Sequence, residues 1–222
     1  MNYFYHPSLD NSVHQFSFPE EESRHIVKAL RKKAGDTLRI TNGKGYLFQA
    51  EITTADAKRC GARVLDARKT LPPRYELHMA VSPTKRQERF QWFLEKATEI
   101  GITEVTPILC ERTERTKVAG ERLQRVMQEA MKQSLRTYLP RLNEPVSYEE
   151  FIAREPSTLN FIAHCEDDEK MDLRRRGAAD KDVLILIGPE GDFTRDEIQA
   201  AYKRGFLPVS LGRSRLRTET AA

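Results

Sequence analysis

The chain has 222 residues, 32% of them charged and 39% hydrophobic, with a formal net charge of +4. No apolar run approaches the roughly 18–20 residues of a membrane span, and the start MNYFYHPSLDNSVHQF lacks the basic-then-apolar order of a secretory signal. Cys60, Cys110 and Cys165 are odd in number, far apart and without CxxC spacing, which argues against disulfides and a zinc site and for reduced, buried thiols in a cytoplasmic protein.

Residues 1 to about 70 read as β-rich. Tyr3–Tyr5 and Val13–Phe18 are short aromatic and β-branched runs, and Thr37–Thr41 and Tyr46–Ile52 flank the hairpin turn Asn42-Gly43-Lys44-Gly45. Arg63-Val64-Leu65 adds a further strand. Between them a helix is expected, with Glu20-Glu21-Glu22 in its first turn, Ile26, Val27 and Leu30 on its apolar face, and Gly35 closing it. Its outward face carries Arg24, His25, Lys28 and Arg31, read either as a solvated face or as phosphate contacts. Leu71-Pro72-Pro73 is the linker candidate, since paired prolines favour an extended connection.

After the linker the rhythm changes to strand–helix alternation. Strands are expected at Tyr75–Val81, Glu104–Leu109, Leu159–Ala163, Val183–Ile187 and Leu207–Leu211. A helix over Lys85–Ile100 places Phe90, Phe93, Leu94, Ala97 and Ile100 on one face and stops at Gly101, with Trp92 packing on the core or a partner. A second helix over Gly120–Tyr138 aligns Leu123, Val126, Met127, Ala130, Ser134 and Leu135. Continuous Ile, Leu and Val strands separated by helices indicate a parallel sheet covered on both sides. The chain stops at Ala222, leaving room for barely one helical turn after Thr218, and the sequence is expected to stop short of the natural C-terminus.

Two strand ends carry the strongest signals. Val183–Ile187 runs into Gly188-Pro189-Glu190-Gly191 and the helix start Thr194-Arg195-Asp196-Glu197; the last strand runs into Leu211-Gly212 and the basic string Arg213–Arg217. Loops after buried strand ends are where α/β sheets place ligands. Neither turn is a GxGxxG fingerprint or a GxxxxGK[ST] phosphate loop, which disfavours a dinucleotide-dependent oxidoreductase and simple NTPases. No HExxH or GxSxG is present, no metal site is expected, and His164, which follows a strand, is read as pocket lining or a satisfied structural histidine. Basic clusters at Arg24–Lys33, Arg112–Arg141 and Arg213–Arg217 fit solvated faces or a nucleic-acid partner.

The pair IGPEGDFTRDEI and LGRSRLRTETAA closely resembles the RsmE family of SPOUT-class RNA methyltransferases. The likeness extends to Lys96–Gly101 with Pro107 and Glu111-Arg112-Thr113, to Glu129-Ala130 with Gln133-Ser134 and Arg136, and to His25–Arg31 with Gly35-Asp36. One departure is Asp192, where the family more often has a second glycine. The resemblance implies an α/β fold with a PUA-like β-barrel over residues 1–70 and a SPOUT domain over 74–222, the latter a parallel sheet with a trefoil knot. It implies S-adenosyl-L-methionine as cofactor, a homodimer, and methylation of N3 of a uridine in 16S (small-subunit) ribosomal RNA, with no metal and no membrane. Other RNA targets, such as tRNA or a ribose 2′-hydroxyl, and a non-enzymatic ribosome-assembly protein remain as alternatives. By motif position the cofactor residues are His164, Leu186, Ile187, Gly188, Pro189, Glu190, Gly191, Leu211, Gly212, Leu216, Arg217 and Thr218. Arg217 is the expected catalytic residue, stabilising a uracil anion or clamping a phosphate; Glu219 is a weaker candidate for taking the N3 proton. Arg24, His25, Lys28, Arg31, Arg112 and Arg136 are expected at the RNA, with Arg115, Arg122 and Arg125 as further contributors.

Overall fold

Alternation of apolar and polar residues builds one sheet of this protein and largely apolar, buried strands build the other. The computed structural model describes residues 2–154, 159–176 and 180–222. It divides into two compact units, Met1–Pro72 with Gln128–Leu139, and Pro73–Met127 with Pro140–Ala222.

The first unit holds β1 (Phe4–Tyr5), β2 (Gln15–Ser17), α1 (Glu20–Arg24), a π-helical turn (His25–Ala29), β3 (Thr37–Thr41), β4 (Tyr46–Thr54) and β5 (Gly61–Lys69). The five strands lie in the order β1-β3-β4-β5-β2. The sheet curls until its edges meet: the rings of Phe4 and Phe18 stand edge to face at 6.0 Å. Ile26, Leu38, Ile40, Phe48 and Ile52 fill the space enclosed. The β3–β4 hairpin is held by Asn42, whose buried Oδ1 accepts the N–H groups of Lys44 and Tyr46. Gly45 must be glycine, because φ is +90° and a Cβ there would stand 2.3 Å from the Tyr138 ring.

The expected first helix is corrected. It gives way at His25 to a π turn closed by Leu30 N–H donating to His25 O, after which Arg31 is left-handed at φ +54°. Leu30 is therefore half exposed rather than core, and Gly35 donates to Ile52 O in the sheet instead of capping a helix.

The second unit holds β6 (Leu77–Val81), α2 (Gln87–Ile100), β7 (Glu104–Leu109), α3 (Gly120–Gln133), β8 (Arg141–Leu142), β9 (Val146–Ser147), α4 (Tyr148–Ile152), β10 (Leu159–Ala163), β11 (Met171–Asp172), α5 (Leu173–Arg176), β12 (Val183–Ile187), α6 (Arg195–Lys203), β13 (Leu207–Ser210) and α7 (Thr218–Ala221). The division between the units falls inside α3, between Met127 and Gln128. The sheet runs β11-β13-β10-β12-β6-β7-β8, with β9 also on β7, and every pairing is parallel. Buried strands of this kind need cover on both faces, and Ile108, Ile162, Leu184, Leu186, Phe193, Ile198 and Phe206 form one core.

Two helix ends differ from expectation. Ile100 is 80% exposed, because Gly101 at φ +114° turns the chain away as α2 ends. The helix expected to reach Tyr138 stops at Gln133; Leu135 sits at φ +58° and Tyr138 instead donates its hydroxyl to Thr70 O. Trp92 is 48% exposed rather than packed on the core, and Cys165 is exposed while Cys60 and Cys110 are buried.

Candidate cofactor-binding site

Strand register sets the geometry of the site. Ala163, the last residue of β10, pairs with Ile187, the last of β12, and with Val209 near the end of β13. Three consecutive loops therefore leave the sheet side by side, at the carboxyl ends where open α/β sheets bind ligands. They wall a cavity of about 740 Å³, within the ~300–1,000 Å³ range of ligand sites. His164, Ile187, Gly188, Pro189, Glu190, Leu211, Gly212, Leu216, Arg217 and Thr218 line it. So do Arg213, Ser214 and Arg215, inside the expected loop Leu211–Thr218, and Cys165, Lys170, Asp192 and Ser210, which sequence reasoning did not single out as ligand contacts. Leu186 is fully buried in the core behind it, and Gly191 does not line it.

Each loop is fixed by its own chemistry. The turn after β12 is followed by a capping box in which Thr194 and Glu197 satisfy each other's backbone N–H, starting α6. Glu197 is buried, and its second oxygen accepts Glu111 N–H at 2.9 Å. Glu190 accepts Lys85 N–H at 2.9 Å, and the Arg112 guanidinium donates to Gly191 O at 2.8 Å. Gly188 packs so closely that a Cβ would lie 3.0 Å from the Phe193 ring. After β10, Lys170 Nζ donates to His164 O at 2.8 Å and to Glu166 O. After β13, Gly212 takes φ +135°, where only glycine is relaxed, and Ser210 Oγ accepts its N–H at 3.2 Å.

The description "RNA methyltransferase domain" matches residues 71–222, and "RNA methyltransferase PUA domain" matches residues 18–65. Ribosomal RNA small subunit methyltransferase E of Rickettsia conorii is 31% identical over 202 residues, covering 89% of this chain and 82% of that protein. The chain belongs to the ribosomal RNA small subunit methyltransferase E family. Among solved structures, a "probable rRNA-methyltransferase" from Porphyromonas gingivalis superposes with a TM-score of 0.93 at 41% identity, covering 100% of this chain and 93% of that one. A ribosomal RNA small subunit methyltransferase E from Neisseria gonorrhoeae, bound to S-adenosyl methionine, gives 0.87 at 28% identity, with the same coverage.

Within this methyltransferase, the electrostatics of the site follow from burial. His164 has a fully buried side chain; burial, then the Lys170 cation, hold its imidazole below the ordinary histidine range. Burial and the Asp192 carboxylate push the Cys165 thiol up, so it is a poor nucleophile. Arg217 is exposed at the N-terminus of α7, with its carbonyl accepting Thr220 and Ala221 N–H. Glu219 is 9% exposed, pairs with Arg89 at 3.4 Å and does not line the cavity.

The basic residues fall in several places. In the first unit Glu20, Glu21, Arg24, His25, Lys28 and Ala29 line a shallow concavity of about 920 Å³, where Arg24 pairs with Glu20 at 2.5 Å. Arg31 lies in the left-handed residue after the π turn, and Arg136 is partly buried beyond the end of α3. In the second unit Arg112 is committed to the Gly191 carbonyl. Arg115 donates to Gln87 at 2.9 Å and Arg122 to Gln91 at 3.5 Å. Among the described residues no helix is long and apolar enough to cross a membrane, and no cluster of His, Cys, Asp and Glu could hold a metal ion.

Proposed function

We propose that this chain is a cytoplasmic, homodimeric enzyme that methylates N3 of a uridine in 16S ribosomal RNA with S-adenosyl-L-methionine as methyl donor. The observation that carries the reading is the three-loop cavity at the ends of β10, β12 and β13, in a chain of the methyltransferase E family. The residues fit that cofactor: Leu211, Leu216 and Ile187 offer apolar wall to a base, Gly212 lets backbone approach closely, and a buried imidazole nitrogen of His164 has no partner. Gly188, Pro189, Glu190 and Thr218 complete the lining.

When bound, the cofactor supplies an activated methyl group. What remains for the protein is placement, exclusion of water and charge stabilisation. Uridine N3 carries a proton at neutral pH, and its loss leaves negative charge on the flanking carbonyl oxygens. Arg217, exposed at the cavity wall and permanently protonated, offers N–H donors to such an oxygen. The target base leaves its stack to reach the cavity. Arg24, His25, Lys28 and Arg31 in one unit, and Arg112 and Arg136, hold phosphates, Arg112 also bracing the cofactor turn.

The threading supports a trefoil knot. The chain leaves β13 on the far side of β10 and β12, yet α7 packs on α2, the helix that follows β6. A connection from β13 to α7 that threads the connection between β10 and β12 would be the knot. Trp92 and Ile100, 48% and 80% exposed on α2, supply apolar surface for self-association. A methyl-transfer assay on assembled small subunits and on naked rRNA, with nucleoside mapping, tests the activity. 3-Methyluridine in small-subunit rRNA is expected; methyl transfer to tRNA or to a ribose 2′-hydroxyl, or none at all, overturns it.

A further inference from the structure

Three side chains, two from the loop after β10 and one from α6, form a hydrogen-bonded row that ends at the cavity. Tyr202, on α6, donates its hydroxyl to Asp168 Oδ2 at 2.9 Å. The Tyr202 phenol oxygen stands 2.8 Å from His164 Nε2, while the direct distance from His164 Nε2 to Asp168 Oδ2 is 4.0 Å. The chemistry fixes the protons. A carboxylate only accepts, so the single phenolic hydrogen is spent on Asp168, and the phenol oxygen is left to accept. His164 must then carry its proton on Nε2. Nδ1 is consequently a bare lone pair, buried and without a hydrogen-bond partner in the chain. Buried polar atoms of folded proteins are seldom left so, and His164 lines the cavity.

We infer that His164 Nδ1 is a pre-set acceptor for a hydroxyl or amino group of the methyl donor, and that Tyr202 and Asp168 are positioning residues that lock the tautomer presenting it. The inference rests on the cavity being the methyl-donor site. The alternative use of the lone pair, as a general base, is opposed by its surroundings. Desolvation and the Lys170 cation disfavour the imidazolium more than Asp192, Asp168 and Glu166 favour it. Tyr202, for its part, is pushed up to about 12 by burial and by Asp168, so it stays a neutral phenol and a steady acceptor. A second imidazole nitrogen fixed by a hydrogen-bond partner is a familiar means of setting which nitrogen meets a ligand.

Long-range proton–nitrogen NMR on the cofactor-free protein reads the tautomer directly. A neutral ring protonated at Nε2 is expected at pH 7.5, and Tyr202→Phe should mix the two tautomers; an Nδ1-protonated ring or an imidazolium in the wild type overturns the inference. On titration with S-adenosylhomocysteine the Nδ1 resonance should move, and a resonance that stays fixed while other cavity signals shift overturns it as well. Calorimetry adds a pair of variants. Asparagine places its carbonyl oxygen near the position of Nδ1, whereas glutamine reaches only that of Nε2. His164→Gln should bind about tenfold more weakly than wild type, the worth of one hydrogen bond, and His164→Asn should keep more affinity; the reverse order refutes the assignment. Absence of binding by the wild type would remove the cofactor reading and the ligand half of this inference, while the cofactor-free tautomer reports on the row alone.

Discussion

The Asp192 carboxylate accepts the backbone N–H of Cys165 at 2.7 Å, which joins the turn after β12 to the turn after β10. Its other oxygen accepts Phe193 N–H at 2.9 Å, and its own backbone is left-handed at φ +63°. The resemblance to the RsmE family puts a glycine here more often. Glycine adopts this conformation freely, and aspartate is among the few other residues that tolerate it, because its short side chain bonds locally. The departure thus keeps the turn and adds a tie between two walls of the cavity.

Asp192→Ala should lose the tie and leave a strained residue, lowering stability by about 1–2 kcal/mol. Asp192→Asn keeps an acceptor and tolerates the backbone, so its loss should be smaller. Urea unfolding orders the three proteins, and amide hydrogen exchange at Cys165 should quicken in the alanine variant. An alanine variant as stable and as protected as wild type would refute the tie.

Gly188→Val should act on packing as well as at the cavity it lines. The added Cβ would meet Phe193 Cδ2 at 3.0 Å and Phe193 N at 3.2 Å, inside the core that holds Phe193. The expected cost is about 1–3 kcal/mol of stability, seen as a lower melting temperature without any ligand. A variant that melts like wild type but has lost cofactor affinity would place the crowding at the ligand instead.

The long elements were legible in sequence because burial writes itself into them. Val183–Ile187 is apolar without a break, and Leu159–Ala163 is broken only by Asn160, since both faces of the sheet are covered. The two-residue strands β8, β9 and β11 carry no pattern long enough to read. Periodicity also overran the end of α3: Leu135 falls in phase with Leu123 and Met127, but phase cannot register that its backbone has turned left-handed. At the site, local motifs marked the turns at Gly188 and Gly212. Contacts between residues far apart left no local signal, whether Arg112 with Gly191, 79 positions on, or Tyr202 with His164, 38 positions back.

Arg217→Ala should leave cofactor affinity close to wild type and lower methyl transfer by roughly 10²–10³-fold, the usual effect of removing one donor to a developing oxyanion. Single-turnover kinetics at saturating RNA separate this from a phosphate clamp. A clamp would raise the RNA KM and leave kcat intact; an anion-stabilising arginine lowers kcat.

The last prediction concerns acid. His164 is held below its ordinary value near 6.5 by burial and Lys170, and His78 is lowered mainly by its burial. Above about pH 6.5 both are neutral in the folded and unfolded chain and contribute no pH dependence. As pH falls through that value the unfolded chain takes up protons that the native protein resists, so stability must fall with pH. Glu104 is lowered too: its burial would raise it, but hydrogen bonds from Arg141 and Asn143, with the His78 and Arg141 charges, together outweigh that. Its stabilisation is lost only near and below its ordinary value of about 4.5. The window from about pH 6.5 to 5 therefore belongs to the histidines. Urea midpoints should be level between pH 8 and 7 and decline from 6.5 to 5, with a shallower decline in His164→Asn. A decline of equal slope in wild type and variant would show that His164 already charges in the native state.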